Sequence, residues 1–229
     1  MDAYLLAGPT ASGKSALAAV LAREMGAWIL SADSMLVYRG MDIGTAKPSP
    51  EEREEFHMGG VDLVTPAEEF SSGAWLRAAQ AWARKVPRGT PIIIVGGTGL
   101  YFSALLRGLD RKWENPPPAY PVIRIDRAEV RARIAARLDD MFLQGLEAEK
   151  RRLHQEYPVW SRTAALAIGY REGDTREKIL TRTCQLAKRQ DTWFRHQATP
   201  IYVEPTREGV LAAWQAHGPW SVQPVRAIG

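Results

Sequence analysis

Eight residues near the start of the chain, Gly8-Pro9-Thr10-Ala11-Ser12-Gly13-Lys14-Ser15, constrain the fold more than any other stretch. They follow a short apolar run at 4–7. They open a segment, 14–25, whose apolar residues Leu17, Val20, Leu21 and Met25 recur at helical spacing before Gly26. Strand, glycine-bearing turn and helix, in that order, give the pattern G-x-x-x-x-G-K-[ST] the context it needs. Gly8 and Gly13 let backbone N–H groups turn inward around phosphate oxygens, and the positive end of the helix faces the same point. Thr10, Ala11 and Ser12 complete the cradle. Lys14 is placed to reach the terminal phosphates and Ser15 to hold a Mg²⁺ ion. Outside this context the pattern is a chance match in a turn; within it, a diphosphate site is the stronger reading.

The rest of the chain alternates in the same manner. Residues 28–30 read as a second strand, 31–47 as a polar, glycine-bearing loop, and 51–55 as an acidic, exposed stretch. The spacing predicts a helix over 71–85, broken by Pro87 and Gly89, and a β-branched central strand at 92–95 closing on Gly96-Gly97. Residues 110–120 are charged and proline-rich, with Pro116-Pro117-Pro118 extended. A strand at 122–125 follows, then helices over 127–144, 146–155, 162–168 and 176–197, a last strand at 201–203 and a helix at 208–217. The fold class expected is α/β: a P-loop NTPase-like parallel sheet flanked by helices, with a helical C-terminal lobe. We read 1–229 as a single domain: a diphosphate-binding core (1–110), a basic helical part (111–199) and a C-terminal strand and helix (200–229).

Composition agrees with this and narrows the address. Of 229 residues, 45% are hydrophobic and 24% charged, which suits a folded core and excludes a disordered chain. No apolar run approaches the ~18 residues of a membrane span, and the start carries neither a basic n-region nor an apolar h-region. The cytoplasm is the expected location. A single cysteine, Cys184, excludes an internal disulfide framework and a cysteine-rich metal site. The net charge of +4 is unevenly spread: residues 1–110 carry −2, 111–195 carry +6 and 196–229 balance. That excess fits a face for a polyanion, and equally a set of solvated Arg-rich helices.

A P-loop reads a diphosphate, not a nucleotide. NTPases of this class hold Mg²⁺ with a second acid at the end of a neighbouring apolar strand. Here the strand at 92–95 runs into Gly96-Gly97-Thr98-Gly99 without an acid, and Asp33 is the carboxylate placed just after a core strand. This argues against ordinary ATP hydrolysis.

Four stretches, 8–15, 31–48, 96–101 and the pair 167–172 with 186–195, together resemble tRNA dimethylallyltransferases across most of the chain up to Arg195. The resemblance implies transfer of a dimethylallyl group from dimethylallyl diphosphate to N6 of an adenine beside the anticodon, with Mg²⁺ as cofactor and the tRNA anticodon arm as partner. It implies that Asp33 is the general base for the N6 proton, and that Arg137, on one helix face with Arg133, clamps the diphosphate. It implies RNA contact at Asp33, Ser34, Met35 and Leu36, and at Thr98 by the channel entrance. Further RNA contacts are implied at Leu166, Ala167, Ile168, Gly169, Tyr170 and Arg171, and at Lys188, Arg189, Gln190, Asp191, Thr192, Trp193, Phe194 and Arg195. The last group mixes basic, amide and aromatic side chains, as suits phosphates beside an unpaired base. Plainer roles stay open. Asp33 can be a loop or N-cap carboxylate, and Thr98 a turn hydroxyl. Trp193 or Phe194 can be core. Arg131, Arg133, Arg137 and Arg151 can be exposed partners of Glu129, Asp139, Asp140 and Glu147.

The chain departs from the family pattern in three places. Only residues 109–121 stand where family members carry a helical insertion that grips the anticodon stem. Cys184 stands where the family commonly has arginine, and the segment after Glu172 is short. A minimal, monomeric tRNA prenyltransferase without a membrane partner is the expected function. An adenylate isopentenyltransferase, a P-loop small-molecule kinase and a catalytically idle RNA-binding remnant are the alternatives.

Overall fold

A computed structural model of the chain describes residues 2–107, 119–171, 173–197 and 200–221. The expected extended run at Pro116-Pro117-Pro118 and residue Glu172 lie outside them. In chain order the elements are β1 (Asp2–Ala7), α1 (Lys14–Met25), β2 (Trp28–Ser31), α2 (Pro50–Glu55), α3 (Ser72–Ala83), β3 (Ile92–Gly96) and α4 (Gly99–Arg107). They continue as β4 (Tyr120–Ile123), α5 (Arg127–Gln144), α6 (Leu146–Glu156), a 3₁₀ turn (Ala164–Leu166), α7 (Arg176–Arg195), β5 (Pro200–Val203), α8 (Arg207–His217) and β6 (Trp220–Ser221).

The sheet runs β2-β3-β1-β4-β5 with every neighbour parallel, and β6 adds antiparallel to β1. Both faces are buried, so the strands are near-continuous apolar runs rather than alternating ones. Leu5, Ile92 and Ile94 enter one core cluster with α3, α4, α5 and α7, while Leu6, Ile93 and Val95 enter another with α1 and α8. The register decides where the chemistry gathers. Ala7 is level with Gly96, and Val95 with Ser31, so β1, β2 and β3 end on one line. Whatever follows those three strands shares one crevice, the usual ligand position in open α/β sheets.

Helix limits follow local signals. Gly13 and Gly26 bound α1, and Asp126, accepting from the Ala128 N–H at 2.7 Å, opens α5 before Gly145 (φ +101°) closes it. The acidic stretch at 51–55 is a short helix, because Ser49 and Glu52 form a capping box with Pro50 inside it. The helix expected over 162–168 is a correction: only a 3₁₀ turn forms, since the segment between Pro158 and Gly169 (φ +94°) is too short to nucleate more. Strand β4 starts two residues earlier than its β-branched run, and Pro121 is tolerated there because pairing with β1 begins only at Val122. The helical part falls where it was expected, ahead of a C-terminal strand and helix. It lies between β4 and β5, and Ile134, Leu138, Leu146, Leu153 and Phe194 share one cluster with the sheet face. Among the described residues no helix is long and apolar enough to cross a membrane.

Candidate active site

The turn between β1 and α1 has the shape its sequence demands. Gly13 (φ +89°) caps α1 with no side-chain hydrogen bond, so the first helical amides stay available to an anion. Ala11 holds φ +61°, an uncommon conformation for a residue with a Cβ and one that functional turns tend to keep. Ser12 is fully buried with its hydroxyl lacking a partner, and Ser15 is exposed at the helix start. Lys14 is buried, its Nζ donating to the Pro9 carbonyl at 3.1 Å. Burial pushes its pKa down to about 8; Asp33 opposes that shift and Arg137 adds to it.

Arg137 comes from α5, and its Nη2 donates to the Thr10 hydroxyl at 2.8 Å. Burial lowers its pKa, with Asp33 opposing, yet a guanidinium remains cationic. Arg133, one turn earlier, is exposed and pairs with Glu129 at 2.6 Å, while its Nη1 lies 3.3 Å from where a Cβ on Gly13 would stand. Asp139 is taken by Arg176 and Glu147 by Lys150, so these acids do not serve the remaining α5 and α6 arginines.

After β2, Asp33 accepts from the Met35 N–H at 2.9 Å through Oδ1, and no hydrogen bond among the described residues engages Oδ2. After β3, the Thr98 hydroxyl accepts from the Ser34 N–H at 2.9 Å and meets the Ser34 hydroxyl at 3.3 Å. Thr98 thus ties the Asp33 turn to the end of β3. The glycines beside it are required by close approach. A Cβ on Gly97 would lie 2.5 Å from the Gln190 side chain, and one on Gly99 would lie 2.3 Å from the Trp193 ring. Gln190 also accepts from the Thr10 N–H at 2.8 Å, joining α7 to the turn between β1 and α1.

Some of these groups line one cavity of about 490 Å³; of the turn between β1 and α1 only Thr10 does, and Lys14 and Ser15 are not among the lining residues. Thr10, Arg137 and Gln190 stand at one part of its wall, Asp33, Ser34, Met35 and Thr98 at another, and Leu166, Ala167, Ile168, Gly169, Arg171 and Arg189 complete it. Between them lies an apolar wall of Ile134, Leu138, Met141, Leu146 and Ile179. Lys188, Thr192 and Trp193, with Arg189, border a second, open hollow of about 570 Å³. Two expected RNA contacts need correcting. Phe194 is fully buried edge-to-face against Phe102. Tyr170 is buried, with its hydroxyl committed to Gly44 and Glu149. Leu36 is half-buried outside the cavity lining, its carbonyl accepting from the Asp62 N–H at 3.1 Å. Asp191 and Arg195 pair with each other on α7.

Glu149 is the site's supporting residue that spacing alone passed over. Its buried carboxylate accepts from the backbone N–H groups of Asp42, Ile43 and Gly44 (3.2, 3.0 and 3.2 Å) and from the Tyr170 hydroxyl at 2.5 Å. Burial and this carboxylate hold the Tyr170 phenol well above its usual range. The loop so pinned supplies Gly44 and Thr45 to the cavity. The signal was in the sequence: Glu149 lies on the buried face of α6 with Leu146 and Leu153. Glu149→Ala strands several buried donors, each worth about 1–3 kcal/mol. We therefore expect a lower denaturant midpoint, and Glu149→Gln to lie between. An alanine variant as stable as the parent would remove this role.

Two family models match the chain: IPP transferase over residues 36–121 and 111–197, and isopentenyl transferase over residues 1–58. The first matches in two pieces that meet at 111–121. A tRNA dimethylallyltransferase of Acidithiobacillus ferrooxidans is 31% identical over 290 residues, covering 91% of this chain and 91% of that protein. That alignment is longer than the chain itself, so the relative carries a sizeable segment with no counterpart here. One of Phenylobacterium zucineum is 44% identical over 172 residues, 74% of this chain and 50% of that protein. Among solved structures, the full-length tRNA isopentenylpyrophosphate transferase of Bacillus halodurans superposes with a TM-score of 0.81 over 94% of this chain and 97% of that one. At 23% identity this likeness speaks for the fold.

Proposed function

Because the chain belongs to the tRNA dimethylallyltransferase (IPP transferase) family, we propose that it moves the dimethylallyl group of dimethylallyl diphosphate onto N6 of an adenine beside the anticodon of tRNA, releasing diphosphate. What carries the reading is the meeting, in one cavity, of the diphosphate loop through Thr10 and Arg137, the Asp33 carboxylate, and an apolar wall sized for a short hydrocarbon chain.

The chemistry asks for those three parts. The N6 lone pair is delocalised into the ring, so the amine attacks only as its proton is taken, and Asp33 takes it. The bond from the allylic carbon to the diphosphate oxygen breaks as the C–N bond forms. Positive charge grows on the carbon while negative charge returns to the diphosphate. Lys14, Arg137 and the α1 amides bind that leaving charge. Ile134, Leu138 and Met141 keep water from the allylic carbon, which would otherwise form an alcohol.

Mg²⁺ fits this loop. The Ser15 hydroxyl is exposed at the helix start, no group of three or more acids, histidines or cysteines gathers among the described residues, and Mg²⁺ is commonly completed by substrate phosphates and water. Bound there, the ion neutralises part of the departing diphosphate.

The test is to incubate the protein with labelled dimethylallyl diphosphate, Mg²⁺ and either bulk tRNA, an isolated anticodon stem-loop or AMP. We expect label in both RNAs, with the stem-loop nearly as good an acceptor as whole tRNA. Label in AMP alone would move the enzyme to the adenylate isopentenyltransferases. ATP turnover at kinase-like rates, ~1–100 s⁻¹, would overturn the donor assignment.

A further inference from the structure

The reaction cavity uses one side of α7, and the other side carries a groove of its own. It measures about 880 Å³ and lies between the first turns of α5, the outer face of α7 and the ends of β4 and β5. Ile123, Val130, Ala187 and Tyr202 make an apolar floor. Above it stand Arg127 and Arg131, one turn apart on α5, and Lys188 on α7.

Two features set these cations apart from a solvated helix face. Two of the three acids that line it are engaged: Asp126 caps α5 through the Ala128 N–H and Asp191 pairs with Arg195, while Glu204 stands at the end of β5 in no ion pair among the described residues. Arg127, Arg131 and Lys188 are in no ion pair among the described residues. Arg127 is also the first residue of an 18-residue helix, at the positive end of its dipole, where a cation is disfavoured. Helix stability does not explain it. An anion brought to the groove would.

The groove and the reaction cavity are neighbours across a single helix. Arg189 and Gln190 border the cavity, Lys188 borders both the open hollow and the groove, and α7 is the wall between. A strand whose base enters the cavity has its flanking phosphates at the hollow and, one helix width on (about 10–12 Å), at the groove. We propose that this groove binds the sugar–phosphate backbone of the acceptor RNA next to the modified nucleotide, Arg127 and Arg131 meeting phosphate oxygens. The proposal rests on the prenyl-transfer reading for the identity of the RNA.

The test compares the full-length protein with the double variant Arg127→Glu/Arg131→Glu and the milder Arg131→Gln. Acids suit the start of a helix, so both variants are expected to fold, which circular dichroism checks. Fluorescence anisotropy with a labelled anticodon stem-loop RNA gives affinity across a salt series, and dimethylallyl transfer is measured on the same preparations. For the double variant we expect affinity to fall at least about tenfold, and the slope of log affinity against log salt to become shallower by about 0.7 per lost phosphate contact. The KM for dimethylallyl diphosphate and kcat at saturating RNA should stay within about twofold, as for lost uniform binding. Arg131→Gln should show a smaller change in the same direction. Unchanged affinity and slope would overturn the proposal and leave the groove to some other ligand, such as a protein. A parent protein that does not bind the RNA would overturn it as well. RNA that is bound in this groove yet never labelled would sink the transferase reading and leave the groove standing.

Discussion

Replacing Asp33 by asparagine is expected to slow dimethylallyl transfer by about 10²–10⁴-fold, the usual cost of losing a general base. The geometry makes this substitution unusually clean. Oδ1 accepts from the Met35 N–H at 2.9 Å, a contact that an asparagine carbonyl keeps, so the turn after β2 survives. The oxygen that changes is the one with no hydrogen bond among the described residues. Donor binding should therefore hold while the chemical step fails. Single-turnover transfer with titration calorimetry of the Mg²⁺–diphosphate donor separates the two. Weakened donor affinity with unchanged chemistry would make Asp33 part of the metal's surroundings instead.

Removing the Lys14 ammonium, as in Lys14→Ala, is expected to cost about 10²–10³-fold in kcat, as when a preorganised donor to a developing anion is lost. A pH signature goes with it. Burial sets the Lys14 pKa of the free protein at about 8, so the cation is complete below that pH and is lost above it. A diphosphate favours the charged form and raises that pKa. The affinity of the parent for the donor should then fall as pH rises through about 8, and binding near that pH should take up a proton. Calorimetry in two buffers of different ionisation enthalpy measures the uptake. The alanine variant should show neither effect. A parent with no uptake and a flat profile would mean that Lys14 does not meet the diphosphate.

What the sequence disclosed follows the range over which each interaction acts. Helices α1 and α5 coincide with their spacing because both periodicity and boundary residues are local: Gly13 with Gly26, Asp126 with Gly145. The glycine-bearing turn between β1 and α1 was legible for the same reason. That Asp33, Arg137 and Gln190 stand around one cavity was not legible in periodicity, since what unites them is contact across the chain. Arg137 reaches Thr10 from 127 residues away, and Gln190 reaches the same residue from 180. Spacing put Arg133 and Arg137 on one face, yet Arg133 stays with Glu129 at the surface while Arg137 turns into the cavity. Packing against the P-loop decides that difference, and no periodicity records it. Glu149 was missed because a carboxylate on a buried helix face is readable only once its three amide donors are known to converge. Phe194 and Trp193 are adjacent, and only the position of Phe102 makes the first of them core.

Strand β1 is made first, yet its pairing is complete only when β6, the last described strand, has been made. Its neighbours come from residues 92–96, then 122, then 220–221, and the Trp214 indole donates to the Leu5 carbonyl across 209 residues of chain. While the chain leaves the ribosome, the strand that will end in the diphosphate loop waits beside incomplete partners. Such high contact order makes closure slow. It also ties the turn after β1 to α8: a loosened α8 would reach that turn through Leu5, without touching any residue that lines the cavity.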